Sequence, residues 1–107
     1  VGTDPTGNGG ILAGYGTWRA IELLVEAGGF TALEAIKIAT QNGSIALGID
    51  QLTGTIDAGK SADLIIIDGD PSKNITDLHK ILYVFKNGVG YHSKKLFDSV
   101  KGKVGFN

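Results

Sequence analysis

The chain contains no cysteine and no methionine, only two prolines and one tryptophan, and no excess of either charge. Without cysteine, disulfides and thiolate metal ligands are excluded. Ten basic residues stand against eleven acidic ones, leaving a net charge of −1 with no block of like charge. That balance lacks the basic patch by which nucleic acid or an anionic membrane surface is bound. No apolar run is long enough to span a bilayer, and the residues given open on no signal-peptide pattern. Methionine is absent even from position 1, where the sequence opens VGTD. The expectation is a piece of a longer protein, although removal of a tag leaves the same start. Lack of cysteine and of a signal segment leans towards a cytoplasmic protein.

What is present is enough chain for one small domain, 107 residues of which 42% are apolar and 20% charged. Glycine is abundant, with 17 residues against an average share of roughly 7%. Six of these fall in the first sixteen residues, VGTDPTGNGGILAGYG, which reads as an irregular loop whose backbone needs unusual dihedrals or close approach to something. Residues 17–27 turn helical: Trp18, Ile21 and Val25, with Leu24 beside them, form an apolar stripe. Arg19, Glu22 and Glu26 form a charged stripe alongside, expected to be a solvated face with modest ion pairing. Gly28 and Gly29 stop the helix. Thr31 and Glu34 then fit a capping box opening the helix TALEAIKIATQ, whose narrow polar stripe (Glu34, Lys37, Gln41) predicts a mostly buried element. Asn42 and Gly43 are expected to end it, with one further turn over residues 44–48.

After Ile49 the period changes. Thr55 and Ile56 read as a short extended piece and residues 62–68 as the clearest strand, three isoleucines in a row implying burial on both faces. Residues 81–86 and 89–92 flank Asn87-Gly88, a strong hairpin signal. The tail from Ser93 shows no pattern that assigns it to an element. Trp18 and Phe30 are expected in the core.

One stretch invites a specific chemistry. GTIDAGKS, residues 54–61, matches the phosphate-loop pattern G-x-x-x-x-G-K-[ST] at every fixed position, and Leu64 to Asp68 looks like an apolar strand ending in a magnesium-binding Asp. A phosphate loop needs a strand to deliver the chain and a helix to leave it, so that aligned N–H groups face the phosphates. Here a helix end and a connector precede the glycine, and a strand follows the lysine. That strand is also too close to be the neighbouring one that carries the magnesium ligand. GTIDAGKS therefore reads as a reverse turn into a strand. No Ser lies in a G-x-S-x-G elbow. Asn42-Gly43-Ser44 and Asn74-Ile75-Thr76 fit the glycosylation pattern, which matters only in a secreted eukaryotic chain.

Taken together and in order, the segments resemble the carboxyl-terminal part of the amidohydrolase superfamily, in its imidazolonepropionase-like and dipeptidase-like branch. Val1-Gly2-Thr3-Asp4 is similar to the G-T-D at the end of the last barrel strand. Residues 22–28 are similar to the family's helix that opens E-L and closes on Gly. Residues 31–40 are similar to T-P-x-E-A-L-x-x-A-T, with Ala32 in place of Pro. Residues 42–48 are similar to N-A-A-x-x-L-G, residues 54–67 to G-x-I-x-x-G-K-x-A-D-L-V-V-L, and Asp68-Gly69-Asp70-Pro71 continues that stretch. Residues 84–89 resemble the closing hairpin.

The resemblance implies an α+β fragment of a metal-dependent hydrolase. Residues 1–48 would be the last strand, the active-site loop and the final helices of a (β/α)8 TIM-like barrel. Residues 49–107 would be the carboxyl-terminal strands of a composite β-sandwich and a tail. It implies that Asp4 is both a metal ligand and the catalytic carboxylate, at the carboxyl end of a barrel strand where such barrels keep their chemistry. A carboxylate beside a metal-bound water, whose pKa falls to about 7, can accept its proton and pass it to the leaving group. Thr6, Gly7, Asn8, Gly9 and Gly10 would line the substrate mouth. The implied cofactor is a divalent metal, zinc first, and the implied substrate a small amide, cyclic amide or peptide-like C–N compound.

The family holds its metal mainly through histidines. The only two here, His79 and His92, match no ligand position and are expected to be surface or interface side chains. Asp4 alone falls short of the roughly three protein ligands a catalytic zinc needs. This chain alone is therefore expected to be inactive and to bind no metal stably. Its expected partners are the missing amino-terminal part of the same protein or a second copy, with neither nucleic acid nor membrane. The alternative is a stand-alone, non-catalytic protein-interaction module derived from the same scaffold.

Overall fold

The computed structural model describes residues 1–3 and 14–103. Helix α1 spans Tyr15–Glu26. Its apolar stripe turns Ile21 into the core, with Trp18, Leu24 and Val25 packed against it. It ends as the glycines predict: the N–H groups of Ala27 and Gly28 both return to the Leu23 carbonyl. A side chain at Gly28 would meet the Leu24 carbonyl at 2.6 Å.

The capping box is present in full. Glu34 N–H donates to Thr31 Oγ1 at 3.3 Å, and Thr31 N–H donates to Glu34 Oε2 at 2.8 Å. It opens α2, Ala32–Lys37. The helix does not stop at Asn42-Gly43. It widens into a π-helical turn, Ile38–Asn42, and tightens again into α3, Gly43–Ala46. Within the wide turn Thr40 Oγ1 donates to the Ile36 carbonyl at 2.7 Å, the back-bonding by which Thr competes with the helix ladder and bends it. The predicted burial of this helix is not observed. Ala35 is fully buried, but Leu33 and Ile45 are exposed, because among the described residues the core is too small to cover more than one face.

A three-stranded antiparallel sheet in the order β1-β2-β3 makes up the second half: β1 Leu64–Ile67, β2 Ile81–Lys86 and β3 Val89–His92. Asn87 (φ 48°) and Gly88 (φ 78°) both take positive φ, the two-residue turn whose twist matches the flanking strands. The register slips once: Ile66 faces Tyr83, but Ile67 faces Ile81. β1 is narrower than residues 62–68, and Ile65 and Ile66 are exposed. It is an edge strand on a small sheet, so the expected burial on both faces does not hold. Thr55 lies in a bend and Ile56 in no regular element, so the expected short extended piece is not formed. The unassigned tail forms α4, Ser93–Val100, packed on β2 and β3.

The two halves meet through a 3-10 turn, Ile75–His79, between β1 and β2. It drops Ile75 and Leu78 onto Ile21 and Ala35. Among the described residues these four form the buried core, and Ile67 of β1 packs at its rim. Phe30, expected in the core, is 41% exposed.

Candidate functional site

Asp4, Thr6, Gly7, Asn8, Gly9 and Gly10 lie outside the described residues. Among the described residues, no group of three or more His, Asp or Glu side chains is arranged to hold a metal ion. The two histidines are engaged apart from each other. His92 sits edge-on to Tyr83, ring centroids 5.2 Å apart, while His79 bonds Glu22. The described residues offer no metal site of their own, and Asp4, the ligand the resemblance implies in this chain, is not among them.

The phosphate-loop pattern is occupied by its own turn. Lys60 Nζ donates to the Asp50 carbonyl at 2.6 Å and to Thr55 Oγ1 at 2.7 Å, and Ser61 Oγ donates to Asn87 Oδ1 at 3.1 Å. The lysine that would reach a phosphate instead pins the connector together, and β1 follows as expected. Gly54 (φ 93°) presses against α3: a Cβ there would lie 2.5 Å from Ser44 Oγ, which itself bonds Thr53 Oγ1 at 2.9 Å. Next to this turn an open groove of about 600 Å³ runs between the π-helical turn and the sheet, lined by Ile36, Ala39, Leu64, Ile65, Val84 and Phe85.

The most organised polar cluster was not legible as a site. Glu22, placed by its spacing on a solvated stripe, is 5% exposed. His79 Nε2 donates to its Oε1 at 2.6 Å, and Arg19 to its Oε2 at 3.1 Å. Burial alone would push the Glu22 carboxyl up, but the bonds from His79 and Arg19 outweigh it and hold the group below its ordinary value. Arg19 also pairs with Glu26 at 2.8 Å, and that pair followed by Glu22 holds the guanidinium firmly charged. Spacing along α1 showed the Arg19 pairs. It could not show His79, which comes from 57 residues away.

Comparison with known proteins gives the fold a relationship. The sequence profile of the amidohydrolase family matches residues 1–90. The chain is 42% identical over 73 residues to the imidazolonepropionase of Picrophilus torridus, covering 65% of this chain and 18% of that protein. It is 36% identical over 92 residues to the ochratoxinase of Aspergillus niger, covering 82% and 18%. Among solved structures, a Xaa-Pro dipeptidase with methionine bound in its active site superimposes with a TM-score of 0.68 at 37% identity, covering 73% of this chain and 19% of that one. The chain thus spans about a fifth of the length of the relatives it matches.

Proposed function

The chain belongs to the amidohydrolase family, and from that premise we propose that it is the carboxyl-terminal part of a metal-dependent hydrolase that cleaves an amide, cyclic amide or peptide-like C–N bond. The observation that carries this is the family match itself. It covers residues 1–90, from Val1 through the capped helix and the Gly54 turn into the β-hairpin. In this reading the helices belong to the end of a (β/α)8 barrel and the sheet to a composite sandwich. Asp4 supplies the carboxylate that accepts and passes on a proton, and Thr6, Asn8 and the neighbouring glycines line the substrate mouth. The histidines that would complete a zinc site belong to the remainder of the protein.

The test has two parts. Zinc titrated calorimetrically into the chain alone is expected to show no stoichiometric site. In the complete protein, Asp4→Asn is expected to lower hydrolysis by about 10²–10⁴-fold with the fold intact by circular dichroism. Turnover by the chain alone, or an Asp4→Asn enzyme of normal rate, contradicts the reading.

A further inference from the structure

We propose that His79 is a positioning residue, a strap that fixes α1 to the Ile75–His79 turn so that helix and sheet move as one body. The inference rests on the reading of Asp4 in one respect: α1 is the helix that follows the stretch containing Asp4 in the sequence.

The geometry makes the strap specific. The contact between α1 and the turn is otherwise apolar: Ile21 meets Ile75 and Leu78 in the buried cluster, with Trp18, Leu24 and Val25 packed at its edge. Among the described residues, the bond from His79 Nε2 to Glu22 Oε1 is the one hydrogen bond that joins α1 to the turn. The ring is also seated. Its centroid lies 6.2 Å from that of Tyr15 and 6.4 Å from that of Trp18. Tyr15, Trp18 and Glu22 stand at spacings of three and four, so they share one helix face. The imidazole therefore docks along two turns of α1 with the buried carboxylate at its end. Arg19 cannot replace it. Its partners Glu22 and Glu26 are on its own helix, so it neutralises the cluster without tying α1 to anything else. The turn's carboxylate, Asp77, is bonded by Lys80 at 2.8 Å. A hydrogen bond to a buried charge is among the stronger ones, and breaking it leaves the carboxylate short of a donor.

Hydrogen–deuterium exchange of the whole chain, read by mass spectrometry in peptides covering 15–26 and 81–92, tests the strap without metal or substrate. Its failure is therefore distinct from failure of the hydrolase reading. In His79→Ala, exchange over 15–26 is expected to rise about tenfold or more, while 81–92 changes by less than about threefold. His79→Gln keeps a donor at a similar reach and is expected to restore most of the protection. If the alanine chain does not fold, Glu22→Gln, which keeps the acceptor and drops the charge, is expected to accelerate 15–26 alone. Unchanged exchange over 15–26, equal acceleration in both regions, or no rescue by glutamine overturns the proposal.

Discussion

At the residue scale, the sequence shows which glycines matter only after their neighbours are known. Gly48 and Gly54 both take positive φ, 70° and 93°. Beside Gly48 there is open space, whereas a Cβ at Gly54 collides with Ser44 Oγ and Cβ, and Ser44 is buried. Gly48→Ala is expected to cost about 1 kcal/mol, the ordinary penalty of a left-handed side chain. Gly54→Ala is expected to cost about 2 kcal/mol or more, because overpacking adds to that penalty. Urea denaturation of the two variants checks the order, and equal costs would contradict the close approach. The same limit explains Glu22. Local spacing placed it on a charged stripe, but its burial depends on a histidine that only the tertiary fold delivers. Asp4 and the residues from Thr6 to Gly10 rest on the family resemblance alone and lie outside the described residues.

At the element scale, local chemistry was the most legible level. The capping box, the glycine stop after α1 and the Asn87-Gly88 turn all rest on interactions within a few residues, and each appears where the residues put it. Thr31→Ala is expected to destabilise the chain by about 1 kcal/mol and Thr31→Ser by only a few tenths, measured by thermal melts of matched variants. The hairpin carries a longer-range clamp. Asp63 accepts from Asn87 N–H at 2.7 Å and from Lys86 Nζ at 2.8 Å. Asp63→Ala removes both and is expected to speed amide exchange at 86–89 more than in α1. Elements set by context were less legible. The widened turn at Ile38–Asn42 has no signature beyond Thr40, and α4 is short, with Leu96, Phe97 and Val100 all exposed. β1 has the apolar content of a doubly buried strand, but burial is a property of what lies on it.

At the scale of the whole molecule, charge governs the response to pH. The bond from Lys80, then the Asp70 N–H, holds the Asp77 carboxyl below its ordinary value. Lys86 and the Asn87 N–H do the same for Asp63, Ser72 and Lys73 for Asp70, and the Thr31 backbone for Glu34. Each folded pKa lies below its unfolded counterpart. At neutral pH both states are ionised and the contribution is complete. As pH falls through the ordinary carboxylate range near 4, the unfolded chain takes up protons first and stability is lost. The melting temperature is expected to hold between pH 7 and 5 and to fall steeply below about 4, and Asp77→Asn is expected to shallow that fall. A flat profile down to pH 3 would contradict these pairings.

The molecule also exposes Leu33 and Ile45 on its helices, Leu47, Leu52 and Ile56 in the connector after them, and Ile65 and Ile66 on an edge strand. Surfaces of that kind mark contact with another chain or another part of the same one. Sedimentation velocity is expected to show self-association of the isolated chain, reduced by Ile65→Lys. A lone monomer at high concentration would show that these faces need no partner.

The family relationship and the one-fifth span lead to one decisive observation, the DNA of the source upstream of the Val1 codon. The expected result is a reading frame that continues upstream for several times the length of this chain and carries an H-x-H near its start. A start codon immediately before Val1 would contradict it, leaving the hydrolase relationship as ancestry and directing the search to binding partners.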